Sequence, residues 1–108
     1  MTKVAGKKII INEKEIELDF SVRKVLEFEN IIVVLMYDDI FIPNNVIALD
    51  YKGKQLWTIN DILKIKKPTG NIDIEKTLEN KLNVFSSLGI VFCIDVDRKE
   101  LIAKDYLR

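Results

Sequence analysis

Apolar residues along this chain recur with a period of two, or in short solid runs, far more often than with the 3.6-residue period of a helix. Ile9-Ile10-Ile11, the polar break Asn12-Glu13-Lys14-Glu15 and then Ile16-Glu17-Leu18-Asp19-Phe20 predict a hairpin. Its second arm alternates apolar and charged side chains, as a strand with one wet face does. Ile31-Ile32-Val33-Val34-Leu35-Met36-Tyr37 is apolar at every position and rich in β-branched residues, the pattern of a strand covered on both faces at the centre of a sheet or between layers. Val46-Ile47-Ala48-Leu49 and Gln55-Leu56-Trp57-Thr58-Ile59 flank Asp50-Tyr51-Lys52-Gly53-Lys54, a second hairpin in which Gly53 supplies the positive φ of the turn. Leu82 to Tyr106 returns to strands.

Two stretches fit no single period. Val22, Val25, Leu26 and Phe28 suit a helical turn or an irregular strand. Asn60 to Lys76 reads as a long polar connection broken at Pro68-Thr69-Gly70-Asn71, with a helical turn at Asp61-Ile62-Leu63. Ile74, Leu78 and Leu82 would also lie on one helix face, so Asp73 to Leu82 is open between helix and strand.

The chain repeats itself. Shifted by 45 positions, Val46 to Lys54 superposes on Val91 to Lys99, Leu56 meets Leu101 and Trp57 meets Ile102, while Phe28-Glu29-Asn30-Ile31-Ile32 resembles Leu78-Glu79-Asn80-Lys81-Leu82. The expectation is one mainly β domain over residues 1–108, an antiparallel meander of about seven or eight strands closed as a sandwich, roll or open barrel, built from two copies of a three-strand unit after an N-terminal hairpin, with a minor helix.

Ala48-Leu49-Asp50-Tyr51-Lys52-Gly53-Lys54-Gln55-Leu56-Trp57 resembles the blade hairpin of quinoprotein-type β-propellers, with a weaker echo at Cys93 to Ile102, where Arg98 replaces the glycine. The resemblance implies strand–turn–strand geometry only. A propeller needs about four blades or more, and no quinone cofactor carries over. The whole chain also resembles small uncharacterised β-rich bacterial proteins.

Composition narrows the function. Seventeen Lys and Arg balance seventeen Asp and Glu, whereas nucleic-acid binding calls for a concentrated cationic surface. No apolar stretch approaches the length of a membrane span, and none follows Met1 to Lys8 as a leader would. Cys93, the one cysteine, lies in Ile90-Val91-Phe92-Cys93-Ile94 and reads as a buried, inert thiol; with no disulfide to maintain, a reducing bacterial-type cytoplasm fits.

The sequence has no histidine, which removes the commonest general base and metal ligand together. Four scattered glycines make no phosphate loop. Asp95 and Asp97 would share one face of a strand, yet Arg98 and Lys99 follow where a calcium loop needs further oxygen ligands; a solvated turn is the favoured reading. Asp38-Asp39 and the basic run Lys64, Lys66, Lys67 are likewise favoured as solvated loop. Trp57 reads as core.

What remains is a non-catalytic protein-binding module, with regulatory and toxin-neutralising roles left open by its size; the alternatives are a carboxylate- and metal-dependent enzyme using Asp38, Asp39, Asp95 and Asp97, or a structural subunit. No cofactor or resident metal is expected. The partner is expected to be a protein, a second copy included, because Glu100 to Tyr106 carries its charges at the two ends. The favoured contact is Tyr37, Asp38, Asp39, Phe41 and Ile42, an aromatic and acidic start leading into apolar residues, as at an interface core with a polar rim. Ile40 to Pro43 reads either as a core edge or as an exposed apolar loop.

Overall fold

The computed structural model describes residues 2–37 and 43–106. Their eleven strands and one short helix follow in the order β1 (Thr2–Ala5), β2 (Lys8–Ile11), β3 (Lys14–Glu17), β4 (Val22–Glu27), β5 (Ile32–Met36), β6 (Val46–Leu49), β7 (Gln55–Thr58), α1 (Ile59–Leu63), β8 (Asn71–Lys76), β9 (Leu82–Ser86), β10 (Ile90–Asp95) and β11 (Glu100–Tyr106). They form three antiparallel sheets, β1-β2-β3, β4-β5-β6-β7 and β11-β10-β9-β8. Eleven strands replace the seven or eight expected, no sheet closes into a barrel, and the repeated unit is a meander of four strands rather than three.

The hairpin turns explain the first sheet. Gly6 takes φ +62° between β1 and β2, and Asn12 and Glu13 both take positive φ between β2 and β3, the geometry that matches a two-residue loop to the twist of its strands. β1 carries only Val4 as a large apolar residue, and the alternation pattern does not register it.

β5 accounts for the layering. All five of its residues are buried, because alternate side chains enter different cores. Ile32, Val34 and Met36 join Ile9, Ile11, Val22, Ile47 and Leu49 between the first and middle sheets. Val33 and Leu35 join Val46, Ala48, Trp57, Ile74, Leu82, Val84, Phe92 and Ile94 between the middle and last sheets. Each such Val, Leu, Ile, Met or Phe side chain stabilises the fold by about 1.5–3 kcal/mol when fully covered. The middle sheet is therefore the filling of a three-layer stack, with Trp57 in its core as expected.

The ambiguous stretches resolve through bulges. β4 slips register against β5 between Val22 and Lys24, so one extra residue breaks its alternation. β8 slips in the same way against β9, between Asn71 and Asp73. Asp73 to Leu82 is not a helix: β8 ends at Lys76, Asn80 turns the chain at φ +64°, and Leu78 is fully exposed at the turn. The polar connection after Asn60 holds both α1 and β8.

The two four-stranded meanders correspond strand by strand, and their bulges coincide. The slips in β4 and β8 lie 49 positions apart, 22 to 71, and those of β6 and β10 lie 45 apart, 48 to 93. Beyond the second bulge the register advances by one. Ala48 pairs with Trp57 and Leu49 with Gln55, whereas Cys93 pairs with Ala103 and Ile94 with Leu101. Trp57 thus corresponds to Ala103, not to Ile102, and the bulged residues are Leu56 and Ile102.

Candidate functional site

Three asparagines fix the end of the stack where β7 passes into α1. The Asp61 carboxylate accepts the Thr58 N–H at 2.8 Å, and Lys64 closes the helix in the left-handed region at φ +54°, a conformation costly for a side chain with a Cβ. Asn60 holds the following residue by both ends of its amide, accepting from Ile65 N–H at 2.9 Å and donating to Ile65 C=O at 3.2 Å. Asn44 in turn accepts the Asn60 N–H at 2.7 Å and donates to Thr58 Oγ1 at 3.0 Å. Asn45 bridges the middle and last sheets. Its amide donates to the carbonyls of Met36 and Asn71, and its oxygen accepts from the N–H of Asn71.

That scaffold leaves a groove of about 310 Å³ between α1 with its following loop and the inner face of β10 and β11. Ile59, Leu63, Ile65, Ile90, Phe92 and Leu101 give it apolar walls, and Lys67 and Lys104 stand among its lining as cations. Its size is at the small end for a ligand site. Along its side runs β11, which among the described residues pairs only with β10 and is exposed at all seven of its own.

The sequence-predicted contact is only partly accounted for. Tyr37 is 56% exposed at the end of β5, its N–H bonded to Ser21 C=O at 2.9 Å. Asp38, Asp39, Phe41 and Ile42 lie outside the described residues, as does most of Ile40 to Pro43, of which Pro43 is exposed. The groove itself was not foreseen. Its lining comes from three separate stretches, 59–71, 86–92 and 101–104, and only the lysine run hints at one of its members.

Asp95 ends β10 and Asp97 lies in the turn after it, so the two do not share a strand face. Asp95 accepts the N–H groups of Asp97 and Arg98 at 3.1 and 3.0 Å and pairs with Lys81 at 3.0 Å. The Arg98 N–H and the Lys81 ammonium hold its carboxyl below the usual range. Asp50 clasps the preceding copy of the turn in the same way, accepting from Lys52 and Lys54 N–H, and the Lys54 N–H is the main reason that its carboxyl also titrates low. Both are turn clasps. No group of three His, Cys, Asp or Glu among the described residues is placed to hold a metal ion. Cys93 is only half-buried, on the outer face of the last sheet, and not enclosed in the core as its apolar neighbours suggest.

Among the described residues no helix is long and apolar enough to cross a membrane. No curated protein and no solved structure matches the chain. A family model does, over residues 1–106, and the chain accordingly belongs to the family of the domain of unknown function DUF7957.

Proposed function

We propose that this domain is a non-catalytic protein-binding module that takes an extended segment of a partner along β11. The observation that carries the reading is the seven-residue exposed edge of β11 lying beside the apolar groove. An open sheet edge offers a row of N–H and C=O groups to an added strand, and pockets beside it select alternate side chains. Here an apolar side chain of the segment enters between Leu63, Ile90 and Leu101, and a neighbouring carboxylate meets Lys67 or Lys104. Selection from a displayed library of unstructured peptides tests this. The expected binders carry an apolar residue next to Asp or Glu, shift the amide resonances of Glu100 to Tyr106, and lose affinity for Leu101→Asp. Binders that map elsewhere, or that ignore Leu101→Asp, overturn it.

A second copy is the other segment that this edge suits. The middle of β11, Leu101-Ile102-Ala103, is uncharged, so two antiparallel β11 strands would join two four-stranded sheets into one of eight. Sedimentation across a hundredfold range of concentration separates the two readings: a mass that doubles with concentration, and no longer does so when Ile102→Lys is introduced, favours the homodimer.

A further inference from the structure

The three layers are stacked head to tail. Toward the first sheet the middle sheet turns Val25, Ile32, Val34, Ile47 and Leu49. The corresponding residues of the last sheet, Ile74, Leu82, Val84, Phe92 and Ile94, are those it turns toward the middle sheet. It follows that the opposite faces correspond as well. Val33, Leu35, Val46, Ala48 and Trp57, all buried beneath the last sheet, match Asn83, Phe85, Val91, Cys93 and Ala103 on that sheet's own outer face. These five line a shallow depression of about 330 Å³ together with Asp105. The position that a next layer would cover is filled in one repeat and open in the other.

The two ends of the stack are finished differently. On the outer face of the first sheet, Ile10 sits among Lys3, Lys8, Glu15 and Glu17, with Lys8 and Glu15 paired at 3.7 Å. Mixed charge across a terminal layer is how a stack is closed to further growth. On the last sheet Phe85, Val91, Cys93 and Ala103 form an uncharged centre, and the charges stand around it: Asp73, Glu75, Asp95, Glu100 and Asp105. Asp73 is paired with Lys24 and Asp95 with Lys81. Glu75, Glu100 and Asp105 have no ion-pair partner among the described residues. Lys104, at the edge shared with the groove, lies 5.5 Å from the ring centre of Tyr106.

We propose that this outer face is a second docking surface, separate from the groove, for an apolar sheet of a protein partner flanked by lysine or arginine. The carboxylates select a basic rim, and complementary charge sets partner choice more than it sets affinity. The same carboxylates oppose a second copy laid face to face, which would bring acid against acid.

The probe is a soluble β-hairpin peptide with one Val/Ile/Phe face and lysines at its four strand ends, compared with a twin carrying glutamates there. With the lysine hairpin, amide shifts at Asn83 to Phe85, Val91 to Cys93 and Ala103 to Asp105 are expected. Alkylation of Cys93 by iodoacetamide should slow severalfold, and affinity should fall about tenfold in Glu75→Lys/Asp105→Lys and about tenfold for the glutamate twin. Leu63→Asp, in the groove, should leave all of this unchanged, so failure of this surface and failure of the groove are told apart. Equal binding of the two twins, shifts confined to the groove, or no binding overturns the proposal. So does self-association that protects Cys93, which would give the face to a second copy.

Discussion

The side-chain amide of Asn45 and the main chain of Asn71 grip each other like two paired strands: Asn45 Nδ2 donates to Asn71 C=O at 2.9 Å and Asn71 N–H donates to Asn45 Oδ1 at 2.8 Å. Both residues are buried; Asn45 directly precedes β6 of the middle sheet and Asn71 opens β8 of the last. Asn45 also donates to Met36 C=O at 2.9 Å and accepts from Asn71 Nδ2 at 3.1 Å. One side chain thereby satisfies polar groups at the end of β5 and the start of β8, next to the groove.

Replacing it should be costly. Asn45→Ala leaves a buried N–H and buried carbonyls without partners, and a loss of about 2–4 kcal/mol in urea unfolding is expected. Asn45→Asp keeps the shape but turns an oxygen toward two carbonyls. Burial would raise the folded-state pKa of that carboxyl, so the variant should be closest to wild type below about pH 4 and lose stability as pH rises. A variant equally stable at pH 4 and pH 7 would remove the clamp from the account.

Asp50, Asp73 and Asp95 give the native protein the opposite dependence. All three titrate below the ordinary carboxylate range. At Asp73 burial pushes upward, but the Lys24 hydrogen bond and the Ile74 N–H outweigh it. A lowered folded-state pKa contributes stability above the unfolded value of about 4, and that contribution is lost as pH falls through the folded value. The thermal midpoint should therefore drop below about pH 4. Asp95→Asn should melt lower than wild type at pH 7 and converge on it near pH 2, a comparison that scanning calorimetry makes directly.

Gly53 joins the first sheet to the middle one through a close approach. It takes φ +89°, and a Cβ built on it would lie 2.1 Å from Ile16 Cδ1 on β3. Gly89, at φ +79°, has open space around it. Gly89→Ala should cost about 1–2 kcal/mol, the conformational penalty alone, and Gly53→Ala about 1–3 kcal/mol more for the overlap. Adding Ile16→Ala should recover part of the difference, a coupling read from the double-mutant cycle. Equal losses at the two glycines would contradict the contact.

The hydrophobic pattern carried much of this architecture. It marked β5 as doubly buried, set the hairpin around Gly53 and exposed the internal repeat; it also found the first hairpin, but with a polar break of Asn12 to Glu15 where the turn is only Asn12-Glu13 and β3 runs Lys14–Glu17. It did not carry the strand count. β1 has too few apolar residues to register, and in β8 the bulge puts Ile72 out of phase with Ile74, 40% against 0% exposed. Ile74, Leu78 and Leu82 then imitated a helix face although Leu78 only marks a turn. The repeat was blurred where a second hairpin one residue longer paired Ala103, not Ile102, with Cys93. The groove left no trace because its walls meet only after the last sheet packs onto α1.

The orientation of the last sheet is the assignment on which both docking surfaces depend, and two phenylalanines test it. Phe92 on β10 is 4% exposed in the core against the middle sheet, while Phe85 on β9, paired with Val91 of β10, is half-buried on the outer face. Emptying an aromatic core site costs about 3–5 kcal/mol, because the cavity collapses only in part. Phe92→Ala should therefore lose about that much in chemical unfolding. Phe85→Ala opens no enclosed cavity, since its face has no second layer, and should lose about 1 kcal/mol. If the two losses came out reversed, the sheet would be facing the other way, and the acidic rim around Phe85 would belong to the interior.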